Sequence, residues 1–153
     1  MIKQLLQIAQ PFRRFYWWLV RPETRGVRAI LVNSGGKIFL VRHKYQEGWF
    51  LAGGKVSGRE NDEDALRREL REEIGVKTIS RLEKLGEYTS TYEYKKDTIV
   101  VFVVRDFTQE SKTHFEIEEQ QLFDPKMLPE KVSPGTRRRI EEWLGQRTIS
   151  NQW

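Results

Sequence analysis

The chain has 153 residues, 38% of them hydrophobic and 32% charged, with 27 basic against 22 acidic side chains and a net charge of +5. That length suits one domain with a substantial core and a solvated surface. With no cysteine and only His43 and His114, a disulfide scaffold, a zinc ribbon, a thiol nucleophile and a histidine-rich metal centre are excluded. A bound metal would have to sit among carboxylates, and the basic excess favours anionic partners without distinguishing nucleotide, RNA and lipid headgroup.

Residues 1–25 read as a helical and aromatic extension, and residues 26–153 as the main domain. Leu5, Leu6, Ile8, Ala9 and Phe12 recur at near-helical spacing, with Pro11 interrupting the helix. Phe15, Tyr16, Trp17, Trp18 and Leu19 then form an aromatic patch beside Arg13, Arg14 and Arg21. A patch of this kind packs on its own domain or in a homodimer interface. Contact of residues 1–20 with a membrane surface is the weaker alternative, because a proline-broken helix has a poor apolar face. The segment has neither the continuous apolar core nor the cleavage site of a signal peptide, and is too interrupted to span a bilayer; with the lack of cysteine this points to the cytoplasm.

Residues 26–33 and 37–43 read as a strand pair around the turn Ser34-Gly35-Gly36. A loop is expected over 44–48, then Trp49-Phe50-Leu51, then a turn at Gly53-Gly54, where backbone can approach a ligand closely. Residues 61–74 read as a helix. Asn61 or Asp62 caps it, Leu66, Leu70 and Ile74 form its buried stripe, and Gly75 stops it. One or two strands follow over 76–94, a turn at 95–97, and a buried strand over 98–105. Residues 108–116 read as a polar loop and 119–123 as a short strand. Ser133-Pro134 opens a last helix that runs to about Gly145. Its Arg137, Arg138 and Arg139 are expected at the surface, opposite Ile140, Trp143 and Leu144. The order of strands and helices suits a mixed sheet with helices on its faces, an α/β (α+β) fold.

Chemistry concentrates on the first helix. Glu69, Glu72 and Glu73 stand at i, i+3 and i+4 and share one narrow face. Each like-charged pair costs a few tenths of a kcal/mol, which Arg68 and Arg71 only partly offset. A hard divalent cation resolves the conflict, since oxygen-only ligands suit Mg²⁺ or Mn²⁺, and Mg²⁺ shares its coordination sphere with water and substrate phosphate. A solvated Glu/Arg face is the bland alternative.

Across 23 residues the segment resembles the signature of the Nudix hydrolases: Gly54, Glu60, Arg68, Glu69, Leu70, Glu72, Glu73, Gly75 and Val76 occupy its fixed positions. The resemblance implies a Nudix fold, an α/β/α sandwich around a mixed β-sheet. It also implies Mg²⁺- or Mn²⁺-dependent hydrolysis of a pyrophosphate bond in a nucleoside diphosphate linked to a further moiety X. Carried over by position, Glu69 and Glu73 hold the metal, Glu72 is a further or water-bridged ligand, and the Gly54 carbonyl adds an oxygen. Glu60, Arg68 and Gly75 are structural. The general base is either a box glutamate, Glu72 or Glu73, or a loop acid, with Glu116 first and Glu118 and Glu119 after it. Ala52 stands where the family often has proline.

Substrate contacts are expected from Gly53, Gly54, Arg42 and Arg28, since guanidinium matches phosphate geometry. His43 reads as structural. Tyr92 and Tyr94 resemble the tyrosine often carried by family members acting on diadenosine polyphosphates. Trp49 and Phe50 either stack a base or fill the core. The expected partner is a nucleotide-type small molecule; no DNA partner is expected, and RNA contact through Arg137, Arg138 and Arg139 lacks an aromatic-basic recognition motif. The alternatives are a Nudix-fold sensor that binds nucleotide without turnover, and an RNA 5′-end pyrophosphohydrolase.

Overall fold

A computed structural model of the chain describes residues 15, 19–20, 22–92, 95–110, 112 and 114–153, with backbone only at Tyr92. Among the described residues from 22 onward, seven strands, β1 (Glu23–Val32), β2 (Ile38–His43), β3 (Gln46–Phe50), β4 (Ala52–Lys55), β5 (Val76–Tyr92), β6 (Lys95–Gln109) and β7 (Ile117–Phe123), join two helices, α1 (Asp62–Ile74) and α2 (Pro134–Trp143). They form one mixed sheet in the order β3-β2-β1-β6-β5, with β4 also on β1 and β7 also on β2. The parallel pair β1–β6 forms its centre, from Glu23 opposite Lys96 to Leu31 opposite Val104. β1 changes antiparallel partner along its length: residues 26–29 pair with β4, and Leu31 and Val32 pair with β2.

Alternation along the central strands creates two cores. Val27, Ala29 and Leu31 of β1 and Val100, Phe102 and Val104 of β6 point to one side, where Leu66, Leu70 and Ile74 of α1 cover them. Ile30 and Val32 of β1 and Val101 and Val103 of β6 point to the other, where Ile140 of α2 is fully buried and Trp143 packs alongside. Period-2 strands buried on both faces read as continuous apolar runs, and that is why 99–104 carries no polar residue. The result is an α/β/α sandwich. Each leucine or isoleucine of the α1 stripe contributes roughly 1.5–3 kcal/mol by its burial. Asn61 caps α1 by accepting the Asp64 N–H at 2.8 Å, and Gly75 closes it in the left-handed conformation.

Several sequence expectations change. β1 begins at Glu23, three residues before the expected strand. The loop expected over 44–48 becomes strand from Gln46. Residues 95–97 are no turn: they begin β6, all three pair with β5, and Lys96 and Asp97 also pair with β1. β6 continues to Gln109 and β7 begins at Ile117, which shortens the expected polar loop from both sides. Residues 76–92 form one long strand.

Arg139 is the largest correction. It was expected at the surface, yet it is wholly buried. Its Nη2 donates to Glu142 Oε1 at 3.0 Å, its Nη1 to the Gln152 carbonyl at 2.8 Å, and its guanidinium lies 3.9 Å from the centre of the Tyr88 ring. Glu142 also accepts the Tyr88 hydroxyl at 2.8 Å, and burial with this bond holds the Tyr88 phenol above its usual pKa. Residues 146–153, which carry no periodicity, fold back to cover this pair.

Of residues 1–20, Phe15, Leu19 and Val20 are described; they are helical and exposed. The remaining aromatic expectations there, and Tyr94, lie outside the described residues. Among the described residues no helix is long and apolar enough to cross a membrane.

Breaking a buried ion pair by removing one partner costs about 3–5 kcal/mol. Arg139→Ala is therefore expected to lower the unfolding free energy by that amount in urea titration. A well-packed Arg139→Met/Glu142→Leu double variant is expected to recover most of it.

Candidate active site

The site forms where α1 crosses β4. Gly53 and Gly54 do not make the expected turn; they are strand residues, paired with Arg28 and Val27 of β1. Gly53 holds φ +139, and a side chain there would collide with the Val27 carbonyl. A side chain on Gly54 would collide with the Glu69 carboxylate. Glycine at both positions thus brings the helix carboxylates against bare backbone.

Glu73 lies on the buried side of α1, 6% exposed, and accepts the Gly53 N–H at 3.0 Å. Burial pushes its carboxyl up to about 7; the Gly53 N–H and the Arg28 charge oppose this, while Glu69 and Glu116 add to it. Arg28 reaches back across β4 and donates to the Val27 carbonyl at 2.8 Å and the Gly54 carbonyl at 3.2 Å. Burial lowers its pKa, and Glu73 and Glu69 support its charge.

Arg68 holds the outer side. It binds Glu60 through two bonds of 2.9 and 3.1 Å, the Lys55 carbonyl at 3.0 Å, Glu69 at 3.0 Å and Glu72 at 3.3 Å. Glu60 in turn accepts the Ser57 N–H at 3.2 Å. The Arg68 guanidinium holds Glu60 below the usual carboxylate range. This fork staples the loop between β4 and α1 onto the helix that carries the glutamates.

Among the described residues no three His, Asp or Glu side chains converge as a metal cluster. Glu69 and Glu72 both lie on one Arg68 nitrogen, while Glu73 faces the Gly53 N–H. The donor set nonetheless fits a hard divalent cation: carboxylate oxygens on one helical face, with the Glu69 carboxylate against the bare backbone of Gly54.

The other candidates are spread around this centre. Glu116 is exposed in the turn before β7; its carbonyl accepts the Lys44 N–H at 3.0 Å, and its charge acts on both Glu73 and His43. Arg42 pairs with Glu118 at 3.1 Å and Glu119 at 2.7 Å, and lies over the Trp49 ring at 5.4 Å. Those two loop acids are therefore β7 residues engaged by Arg42. His43 packs against Phe50, and burial followed by the Arg28 charge pushes its pKa down. Trp49 is buried in the core on the α2 side.

Two clefts, of about 280 and 300 Å³, meet at Arg28 and Ile99. The second includes Arg25, Gly54 and Lys95; the first includes His43, Ser133 and Trp153. Sequence reasoning missed Arg25, whose guanidinium binds both Asp62 oxygens at 2.7 Å and also Glu87, anchoring the start of α1 to β1. It also missed Trp153, for which no periodicity or spacing gave a signal.

A two-core sandwich with a glutamate helix crossing a glycine strand defines a Nudix-type domain. The family model described as the NUDIX domain matches residues 22–144, and the chain belongs to that family. Its fold is similar to the crystal structure of MutT NUDIX hydrolase from Burkholderia pseudomallei, with TM-score 0.69 and 26% identity, over 78% of this chain and 96% of that one. The MutT protein from Methanosarcina mazei Go1 shares the fold, with TM-score 0.69 and 23% identity, over 84% of this chain and 97% of that one. Among curated relatives, CTP pyrophosphohydrolase of Escherichia coli (strain K12) is 37% identical over 71 residues, 44% of this chain and 49% of its own. RNA pyrophosphohydrolase of Pseudomonas aeruginosa (strain UCBPP-PA14) is 42% identical over 50 residues, 33% of this chain and 31% of its own. The chain thus spans half or less of the curated relatives' length in these matches. Nudix hydrolases generally use divalent metal ions.

The Glu73 proton is bound more tightly in the folded chain, at about 7, than in the unfolded chain near 4.5. Its contribution to stability is therefore complete below pH 4.5 and is lost as pH rises through 7. Without divalent cation, unfolding free energy is expected to fall between pH 4.5 and 8, by about 3 kcal/mol from this group. Glu73→Gln is expected to flatten that slope in urea titrations across the range.

Proposed function

We propose that this chain hydrolyses a pyrophosphate bond in a nucleoside diphosphate linked to a further moiety X, with Mg²⁺ or Mn²⁺. The observation that carries the reading is the placement of Glu69 and Glu73 against the bare backbone of Gly53 and Gly54, with Arg28 beside them. Family membership and the relatives named as pyrophosphohydrolases support it.

Glu69, Glu73 and, through water, Glu72 are the residues that would hold the cation, with the Gly54 carbonyl as a further oxygen. The bound cation would supply charge neutralisation on the phosphate oxygens, the main requirement of phosphoryl chemistry. Arg28 adds fixed positive charge beside the same backbone. Arg42 lends charge from β2, tempered by its two glutamate partners. Glu116 is the general base of this reading: it is exposed to water and acts electrostatically on Glu73 across the site. Glu60 and Arg68 position the loop and the helix rather than touch substrate. The substrate is a small nucleotide and the location cytoplasmic.

A binding-only sensor is not favoured, since Glu60, Glu69, Glu72 and Glu73 are all retained. Homodimerisation and any membrane-surface role belong to residues 1–20.

The reading is tested by incubating the protein with Mg²⁺ or Mn²⁺ and a panel of nucleoside triphosphates, nucleotide sugars, ADP-ribose, dinucleoside polyphosphates and 5′-triphosphate RNA. Metal-dependent release of a phosphate product from at least one member is expected. Glu73→Gln is expected to abolish turnover while leaving the folded state intact by circular dichroism. Glu116→Gln is expected to lower kcat by about 10²–10⁴-fold, with the loss of one limb of the pH–rate profile. An unchanged rate in Glu116→Gln would move the base to Glu72.

A further inference from the structure

Residues 146–153 follow α2 and lie outside the segment matched by the family model. They nevertheless reach one of the two clefts that meet at Arg28. The segment is fastened at several points. Thr89 N–H donates to the Asn151 carbonyl at 2.8 Å, and Trp153 N–H donates to the Thr89 carbonyl at 3.2 Å. The buried Arg139 holds the Gln152 carbonyl at 2.8 Å, and Glu142 accepts the Ser150 N–H at 3.1 Å.

These bonds fix the Trp153 indole in one place. It stands edge-on to Tyr88, with centroids 6.1 Å apart, and its ring centre is 5.4 Å from the Arg139 guanidinium carbon. It also packs flush on the first turn of α2, where a Cβ on Gly135 would come within 2.6 Å of the indole nitrogen. Tyr88 is fully enclosed in the core on the α2 side, against which Trp153 also packs. Trp153 instead stays partly exposed and forms a wall of the 280 Å³ cleft, together with Phe50, Arg28, His43 and Ser133. The cleft therefore joins an aromatic end to the cationic Arg28, which donates to the Gly54 carbonyl at 3.2 Å. A nucleotide has that same polarity, a flat base at one end and a polyphosphate at the other.

We propose that Trp153 is a substrate-binding residue that contacts the nucleobase of the substrate, so that residues 146–153 complete the substrate site. The proposal rests on the reading of the carboxylate site as a nucleotide pyrophosphohydrolase. A rigid indole gives stacking area at little entropic cost, and aromatic contact with a base is tolerant of base identity. Arg139, Glu142 and Tyr88 act as positioning residues through the segment they hold.

Two measurements test this. In steady-state kinetics on the best substrate of the panel, Trp153→Ala is expected to raise KM about ten-fold or more, with kcat at saturation within about two-fold of wild type. Trp153→Phe is expected to restore most of the lost KM. A folded Trp153→Ala variant with unchanged KM would overturn the proposal. In the second measurement, adenosine, guanosine, cytidine and uridine, which carry no phosphate and need no cation, are titrated into wild-type protein. The Trp153 indole N–H resonance, assigned by its loss in Trp153→Phe, is expected to shift with at least one nucleoside; no shift with any of the four overturns the proposal. This titration decides the question if Trp153→Ala fails to fold. It also separates the two readings. Absence of turnover by wild type counts against the hydrolase, while the nucleoside shift speaks for Trp153 alone.

Discussion

The structure turns on one close approach: α1 crossing β4 with only glycine between them. A side chain at Gly53 would push β4 off β1, and one at Gly54 would displace the Glu69 carboxylate. With none there, Glu73 buries its carboxylate against the Gly53 N–H, and Glu69 reaches the backbone of Gly54. The apolar stripe Leu66, Leu70 and Ile74 supplies the energy that holds the helix down. The Glu73 carboxylate is carried into a low-dielectric corner by that packing, which is why it resists ionisation.

That corner is electrostatically divided. Glu73 and Arg28 lie inside, each disfavoured in its charged form by burial and supported by the other. Glu60, Arg68, Glu69 and Glu72 form a chain of exposed and half-exposed charges outside. Surface pairs of this type contribute little stability. Their value is geometric, because Arg68 ties the loop after β4 to the helix and fixes where the glutamates stand. A cation entering the site would compete with Arg68 for Glu69 and Glu72.

The opposite face of the sheet carries a second polar device, buried rather than exposed. Arg139, Glu142 and Tyr88 sit within the α2 core and anchor residues 146–153. The two faces are coupled through β1 and β6, whose alternate residues belong to the two cores. Arg28 and Ile99, on those two strands, are also where the two clefts meet.

Sequence by itself determined the local features. The glutamate spacing, Asn61 cap and Gly75 stop defined α1, because each acts over one or two helical turns. The run at 99–104 defined a strand buried on both faces, and the box placed Glu60, Arg68, Glu69 and Glu73 on one segment. Tertiary structure decided what depends on residues distant in the chain. Gly53-Gly54 reads as a turn by composition, yet pairing with β1 makes it strand. Lys95-Lys96-Asp97 reads as a turn, yet the register with β5 and β1 extends it. Arg139 reads as one of three surface arginines, and only Tyr88, 51 residues earlier, together with Gln152 and Glu142, reveals it as core. Trp153 showed no local pattern at all, since its place in the cleft comes from hydrogen bonds to β5 and α2. Propensity and spacing report what a residue does to its neighbours in sequence; burial, ion pairing and cleft walls are set by neighbours in space.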